Sequence, residues 1–287
     1  MDITSYILGK NAGGGGGTPN LQTKSVTITE NTTTNIQPDT GYDGLSAVNV
    51  TTNVSGGDTP TKGAIFSDYD NDGYPHTATI IGITTIPTGF LYTYSASNSC
   101  TGHIENLILP NNLTQINEYA FYNMRSEKIS NLPNTVTSIG SNAFYSNYKL
   151  AIKTIPETIT LITQRSFQYC TSLTQLSMNV TTIEGSATGN PAFLGCTNIV
   201  AIWLGDKFTN SGSGYSGNYG LYIGGTNKLA RIYINKPRAT VESLPGYNYG
   251  FQGNTSQSAK DKIICNDDTG WLTKEQFDAI DWETYTP

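Results

Sequence analysis

The sequence predicts a solenoid of α/β to mainly β class, in which coils of about 23 residues stack and share a parallel β-sheet on one face. Three residue types recur at this period: Pro110, Pro133 and Pro156; Ile116, Ile139 and Ile162; Phe121, Phe144 and Phe167. Such phasing indicates copies of a supersecondary unit that cannot bury its apolar face alone. Because solenoids present a long, regular surface, we expect a binding or scaffold protein rather than an enzyme with one deep cleft.

The strand of each coil is predicted from apolar residues spaced 0, 3 and 5: Ile104, Leu107 and Leu109; Leu173, Leu176 and Met178; Ile199, Ile202 and Leu204; Leu229, Ile232 and Ile234. The last two members of each set alternate with an outward residue, as in a half-buried strand. The segments that contain the periodic Ile and Phe then carry the chain across the stack and back. This path predicts a column of buried phenylalanines, each contributing roughly 1.5–3 kcal/mol to stability.

The copies between Leu107 and Leu173 follow a specific pattern. Residues 132–144 read LPNTVTSIGSNAF, and the next copy closes with a Cys-x-x-Leu turn at Cys170. This pattern resembles the BspA-type leucine-rich repeat family of bacterial surface proteins. The resemblance covers residues 80–234, with Thr84 to Phe90 as a first, irregular copy. It implies a leucine-rich repeat solenoid, a curved parallel β-stack that is used for adhesion or protein binding.

We divide the chain into five segments. They are a flexible glycine-rich stretch (1–20), a small β-module (21–57), an acidic turn or linker (58–79), the solenoid (80–255), and a C-terminal cap or tail with a short helix (256–287). The helix is predicted to begin after Thr273, because Gln276 completes a capping box. The C-terminal segment either seals the exposed end of the solenoid or forms a separate docking tail.

The β-module carries a second resemblance. Alternating apolar residues at 26–28 and 48–50 flank a turn at Asp43, which predicts paired strands. Residues 25–54 are similar to N-terminal modules of tail and receptor-binding proteins of prophages in gut Firmicutes. This resemblance implies a virion tail component that recognises a host surface, as an alternative to an adhesin on a bacterial surface.

Composition favours an outward-facing recognition protein, with an extracellular, cell-surface or virion-associated location. Charged residues make up 13% of the chain, and it contains 18 tyrosines. Tyrosine among small polar residues is typical of recognition surfaces, because it supplies contact area at low entropic cost; alternatively, tyrosine fills repeat positions. A net charge of −6 argues against a nucleic-acid partner. No apolar stretch is long enough for membrane insertion, and residues 1–8 are too short and polar for a signal peptide.

One stretch resembles a calcium loop. The alternating carboxylates of Asp68, Asp70 and Asp72 match the opening of an EF-hand. The twelfth position, however, is Thr79 rather than the bidentate glutamate, and Pro75 interrupts the loop. We therefore favour a carboxylate-rich turn over a calcium site, and we expect neither a metal nor a cofactor.

The sequence offers no catalytic motif, so we expect no enzyme. Its two histidines, His76 and His103, have no metal-ligand spacing, and no nucleophile elbow is present. The four cysteines are Cys100, Cys170, Cys196 and Cys265. Because Cys170 and Cys196 each follow a core phenylalanine by three residues, packed free thiols are favoured over a bonded pair.

A candidate ligand surface comes from the outward strand positions. Alignment of the strands places these residues in one column: Ile108, Asn131, Thr154, Ser177, Trp203 and Tyr233. With Arg231 of the neighbouring column, Trp203 and Tyr233 supply residue types that are enriched at binding hot spots. We hypothesise that Trp203, Tyr233, Arg231, Asn131, Thr154 and Ser177 bind a protein or a glycan. Alternatively, the Gly/Ser/Tyr-rich insertion at 209–220 folds over these side chains and they are core. The sequence names neither the ligand nor the oligomeric state.

Overall fold

The computed structural model describes residues 76–91, 104–124, 129, 132–185, 190–209, 228–244 and 260–285, together with the backbone of five strands between residues 24 and 67 and the burial of Ala64 and Ile65. The architecture is mostly β, a parallel-sheet solenoid with few helices, which confirms the predicted fold class.

An antiparallel sheet leads into the solenoid. The strands of this region are β1 (Lys24–Ile28), β2 (Ile36–Gln37), β3 (Ser46–Ala47), β4 (Val50–Val54), β5 (Gly63–Ser67), β6 (Thr77–Ile81), β7 (Thr85–Ile86) and β8 (Asn106–Ile108). β1 lies between β4 and β5 and is antiparallel to both, and β5 is antiparallel to β6. β2 and β3 form a separate antiparallel pair. β6 then pairs in parallel with β8, so the antiparallel strands and the first coil share one sheet.

The segment 58–79, expected to be an acidic turn or linker, contains β5 and the start of β6. Ala78 and Ile80 are buried, whereas Thr79 and Ile81 are partly exposed. This alternation is that of a strand with one covered face. The carboxylates at positions 68–72 led us to expect a turn or linker, whereas strands form on both sides of them.

Two parallel ladders run along the solenoid. The shorter ladder consists of two-residue strands in two groups: β7, β9 (Gln115–Ile116) and β10 (Ser138–Ile139) form one sheet, and β11 (Leu161–Ile162) pairs with β13 (Thr182–Ile183). The isoleucine that ends each strand is buried. The longer ladder consists of β12 (Gln175–Met178), β14 (Ala201–Leu204), β15 (Arg231–Ile234) and β16 (Ile263–Cys265), all parallel. An isolated parallel bridge joins Thr154 to Ser177 and continues this ladder toward the N-terminus.

Between the ladders runs the predicted column of phenylalanines. The rings of Phe121, Phe144, Phe167 and Phe193 are buried and stack with centroids 5.4, 5.5 and 5.5 Å apart. We call this set the phenylalanine ladder. Its stacking confirms the coil period read from the sequence.

The first coil departs from the expected copy. The Leu91 N–H donates to the Ala120 carbonyl at 2.7 Å, as the Phe121 N–H donates to the Ala143 carbonyl at 2.9 Å. Leu91 therefore occupies the position of the ladder phenylalanine, five residues after Ile86. Although Phe90 was expected to fill this position, Leu91 fills it because spacing from the buried isoleucine sets the direction of the side chain.

The backbone around Phe121, Phe144 and Phe167 has a regular alternation. The residues two before and two after the ring adopt left-handed φ values of 55 to 62°: Tyr119 and Asn123, Asn142 and Ser146, Arg165 and Tyr169. Every second N–H then points along the solenoid axis and donates to the next coil, as at Tyr119, Phe121 and Asn123. These hydrogen bonds offset the steric cost of left-handed conformation in residues other than glycine.

The carbonyls of Phe121, Phe144 and Phe167 each accept a hydrogen bond from a side chain of the next coil. The Cys170 thiol donates to the Phe144 carbonyl, and the Cys196 thiol donates to the Phe167 carbonyl, both at 3.0 Å. The thiols are buried and unbonded to each other, as predicted. Burial raises the pKa of Cys196 to about 12, so this thiol is unreactive. Cys100 lies outside the described residues.

The C-terminal segment packs on the solenoid as a cap. It follows helix α1 (Arg238–Glu242) and contains β16, which extends the long ladder, and helix α2 (Lys274–Asp278). The predicted capping box at Thr273 is present: its hydroxyl accepts from the Gln276 N–H, and the Gln276 side chain accepts from the Thr273 N–H. The Arg238 guanidinium pairs with the Asp268 carboxylate and ties α1 to the turn after β16.

Candidate functional site

The outward column predicted from the strands has the register that the sequence indicated. Ser177 lies beside Trp203, which lies beside Tyr233, and Thr154 is bridged to Ser177. The Thr154 and Ser177 hydroxyls are 3.1 Å apart. Asn131 and the three aspartates of the calcium hypothesis lie outside the described residues. Within the described residues, no group of three or more His, Cys, Asp or Glu side chains is placed to hold a metal ion.

Trp203 and Tyr233 do not form an open surface. Only 5% of Trp203 and 4% of Tyr233 is exposed, and Ser177 is fully buried. The Trp203 indole N–H donates to the Leu272 carbonyl at 3.1 Å. The expectation that these side chains face solvent is therefore wrong, whereas Arg231 and Thr154 remain partly exposed.

The cap explains this burial. An apolar cluster forms between the outward face of the long ladder and residues 271–285 of the cap, and its cap members are Trp271, Leu272, Phe277, Ile280, Trp282 and Tyr285. The Tyr233 ring lies 5.8 Å from the Phe277 ring and 6.2 Å from the Trp282 ring. Trp203 and Tyr233 are thus core residues, as the alternative interpretation predicted. Among the described residues, the segment that covers them is the cap. Residues 210–227, which include most of the insertion, are not among those described.

A different face of the solenoid carries an open row of tyrosines. We call it the tyrosine ladder, and its members are Tyr119, Tyr122, Tyr145, Tyr148 and Tyr169. The Tyr122 and Tyr145 rings are stacked at 4.6 Å with an interplanar angle of 5°. Tyr119 contacts Tyr122 at 5.6 Å, and Tyr169 meets Tyr145 edge-on at 5.5 Å. Tyr148 is 36% and Tyr169 38% exposed, so the row is accessible to a ligand.

The coil geometry sets the position of this row. Tyr122 and Tyr145 each follow a ladder phenylalanine directly, and the phenylalanine points into the core. The next side chain therefore points outward, and the stacking of coils repeats it at the spacing of the inner rings. Tyr169 lies two residues after Phe167, at one of the left-handed positions.

Gly195 provides the space for the Tyr169 ring. Its φ is 78°, and a Cβ atom there would lie 2.2 Å from Tyr169 Cδ1. Side chains larger than hydrogen are thus excluded by both the backbone conformation and the ring. The C-terminal end of the tyrosine ladder depends on this glycine.

The hydroxyl groups and one guanidinium interact within the ladder. Burial raises the pKa of Tyr145 above its usual value, and the neighbouring Tyr169 and Tyr148 phenols act in the same direction. Arg165 and a hydrogen bond with Tyr122 act against this shift. Because the pKa of Tyr145 remains raised, its phenol is protonated at neutral pH. The Arg165 guanidinium donates to the Asn190 side-chain oxygen.

The ladder offers aromatic rings, phenol hydroxyls and one cation, which can bind a ligand by ring contacts and hydrogen bonds. The interpretation from sequence missed this face, because it considered outward residues on the strands only. The signal was present: tyrosine directly follows the core phenylalanine in two consecutive coils, at 122 and 145.

No helix within the described parts of the chain has the length and hydrophobicity that crossing a bilayer requires. The comparisons do not test the resemblance of residues 25–54 to prophage tail modules, which stays a prediction.

Three solved structures that match this chain are two leucine-rich repeat proteins and one vaccine antigen. A leucine-rich repeat protein from Bacteroides ovatus is 18% identical, with a TM-score of 0.36 over 65% of this chain. The pneumococcal vaccine antigen PcpA is 15% identical, with a TM-score of 0.46 over 71%. A leucine-rich cell surface protein from Faecalibacterium prausnitzii is 17% identical, with a TM-score of 0.27 over 74%. The matches span 54%, 46% and 64% of those proteins, respectively.

No curated protein sequence matches the chain. Residues 93–215 match, in six copies, the family model described as BspA type leucine rich repeat region. The matched range includes Phe121, Phe144, Phe167 and Phe193 and the whole tyrosine ladder. Together with the stacked rings and the parallel ladders, this match identifies residues 93–215 of the chain as a BspA-type leucine-rich repeat region.

Proposed function

We propose that this chain is a non-enzymatic adhesion or ligand-binding protein of a bacterial surface, which presents the tyrosine ladder to a protein or glycan partner. The observation that carries the proposal is the continuous contact of Tyr119, Tyr122, Tyr145 and Tyr169 on one accessible face. Tyrosine is enriched at binding hot spots, because it combines a large apolar ring with a hydroxyl group.

The buried residues behind the tyrosine ladder hold its side chains in place, which favours recognition. The phenylalanine ladder lies under the tyrosines, and inter-coil hydrogen bonds fix the backbone on both sides of each ring. A side chain that is already held in place loses little freedom when a ligand binds, so more of the contact energy appears as affinity. The cap, by contrast, removes Trp203 and Tyr233 from any ligand.

The test is a binding screen against a glycan array and against surface extracts of bacterial and host cells. The binding of the unmodified chain is then compared with that of tyrosine variants. Tyr122→Ala and Tyr145→Ala should each weaken binding by about tenfold or more, the effect of losing an interface hot spot. Ile108→Ala is the matched control, because Ile108 is 43% exposed but lies on the strand face. It should leave binding unchanged.

Thermal unfolding of each variant separates lost binding from lost folding. Binding that survives both tyrosine substitutions, or that is lost with Ile108→Ala in a folded protein, would place the recognition surface elsewhere. Turnover of any bound partner would contradict the non-enzymatic part of the proposal.

A further inference from the structure

A cation, Arg165, lies within the tyrosine ladder and forms no ion pair with the residues that the structure describes. Arg165 is partly exposed and electrostatically coupled to Tyr145. Its hydrogen bond goes to the neutral side-chain amide of Asn190, and its buried Nε has no hydrogen-bond partner among the described residues. None of the ion pairs in the described part of the chain includes Arg165. Among the described residues, the Arg165 guanidinium is therefore a positive charge that no ion pair compensates.

The groups around Arg165 are hydrogen-bond donors. The Tyr169 ring meets the Tyr145 ring edge-on at 5.5 Å, and Arg165 precedes Phe167 in the same turn that carries Tyr169. Arg165 and the phenols of Tyr148 and Tyr169 also act electrostatically on Tyr145. A guanidinium presents a planar set of N–H donors that matches the two oxygens of a carboxylate. Phenol hydroxyls beside it can donate to the same anion or bond to neighbouring hydroxyl groups.

The surface beside the ladder is polar rather than aliphatic. The neighbouring side chains that reach solvent include Asn123, Ser141, Lys149 and Gln164. The large aliphatic residues that are exposed among those described, Ile108 and Leu161, lie on strands β8 and β11. A protein partner typically buries about 800 Å² on each side around an apolar centre. Amides, hydroxyls and phenols instead match a ligand that is itself rich in hydroxyl groups.

From this charge and polarity we infer that the ligand of the tyrosine ladder is an acidic saccharide, whose carboxylate binds Arg165 and whose hydroxyl groups bind the phenols. The inference rests on the proposed function and adds the chemical class of the ligand. An acidic peptide is the competing anion, and the experiment below distinguishes it.

The test uses matched probes on the full chain. Sialyllactose and an oligogalacturonate are each titrated beside their methyl esters, with a glutamate-rich peptide as a further probe. The free acids should bind at least about tenfold more tightly than the esters, because the carboxylate gains charge-assisted hydrogen bonds. Arg165→Gln should remove this preference, and Arg165→Lys should keep part of it. Tyr122→Ala should weaken the acid and the ester by the same factor.

Three results would overturn the inference: esters that bind as well as acids, an acid preference that survives Arg165→Gln, or tight binding of the glutamate peptide alone. Melting temperatures show whether Arg165→Gln is folded, and Asn190→Ala, which removes the amide partner but keeps the cation, should retain the preference for acids. If no saccharide binds but a protein is captured in a manner that requires Tyr122 and Tyr145, the inference fails while the proposed function stands. If no binding depends on the tyrosines, both fail.

Discussion

The phenylalanine ladder allows a quantitative test of the solenoid. Phe144 is fully buried, and its ring lies 5.4 Å from Phe121 and 5.5 Å from Phe167. Truncation of a buried phenylalanine to alanine costs roughly 3–5 kcal/mol, since transfer energy is lost and a cavity remains. A stacked aromatic pair adds about 0.5–1.5 kcal/mol beyond burial. Because Phe144 has a ring on both sides, Phe144→Ala should fall in the upper half of the truncation range.

A double-mutant cycle isolates the contribution of stacking. Phe121→Leu and Phe144→Leu, alone and together, should show a coupling energy of about 0.5–1.5 kcal/mol in unfolding by urea, followed by circular dichroism. The same cycle on Phe121 and Phe167, which are separated by Phe144, should be additive within about 0.5 kcal/mol. Leu161→Ala, on the exposed side of the short ladder, is the surface control and should change stability by less than about 0.5 kcal/mol.

Equal coupling in the two pairs would refute the nearest-neighbour description of these coils. A cost below about 1 kcal/mol for Phe144→Ala would refute the tightly packed ladder itself, since such values are typical of surface positions. A change in the slope of the unfolding free energy against urea concentration, rather than in the midpoint of unfolding, would indicate that the coils of that variant no longer unfold together.

Three further predictions concern the cap, the tyrosine ladder and acid stability. Trp203→Ala should lower the free energy of unfolding by about 3–5 kcal/mol in urea titrations, because the buried indole packs under the cap; a small effect would mean that the cap is not seated. In thermal melts, Gly195→Ala should destabilise more than Gly270→Ala, since both have positive φ but only Gly195 faces a ring; equal losses would contradict that contact. A hydrogen bond from Arg238 lowers the pKa of Asp268 from its usual value, so this carboxylate stabilises the fold at pH values above the unfolded-state pKa, and the benefit is lost as the pH falls through the lowered pKa. Asp268→Asn should therefore flatten the acid side of the stability profile, and an unchanged profile would contradict the pairing.

Local spacing in the sequence was sufficient to predict the repeating parts of the fold. The phenylalanine and isoleucine columns follow from one period, because each coil contacts its neighbours in the same way. The capping box at Thr273 is equally local, since its two hydrogen bonds span three residues. Leu91 shows the limit of this approach, because residue type pointed to Phe90 while spacing pointed to the next residue.

The cap could not be predicted from spacing. The hydrogen bond from Trp203 to Leu272 joins residues 69 positions apart, and no periodicity links the two segments. An outward tryptophan on a strand has the same local pattern whether a ligand or a distant segment covers it. The aromatic residues of the cap, such as Phe277 and Trp282, were visible in the sequence but carried no sign of which face they would bury.

The tyrosine ladder connects stability to recognition through one backbone arrangement. Tyr122 and Tyr145 stack at 4.6 Å because Phe121 and Phe144 stack directly beneath, and the same inter-coil hydrogen bonds hold both pairs. We therefore expect a substitution in the phenylalanine ladder to change the spacing of the tyrosine ladder, although the substituted residue contacts no ligand. The left-handed residues beside Phe121 and Phe167 have the same double role, since they orient the N–H groups along the axis and project Tyr119 and Tyr169 outward. Recognition by this face consequently depends on the regularity of the coils, and a coil of different length between residues 119 and 169 would separate the tyrosines even if every one were retained.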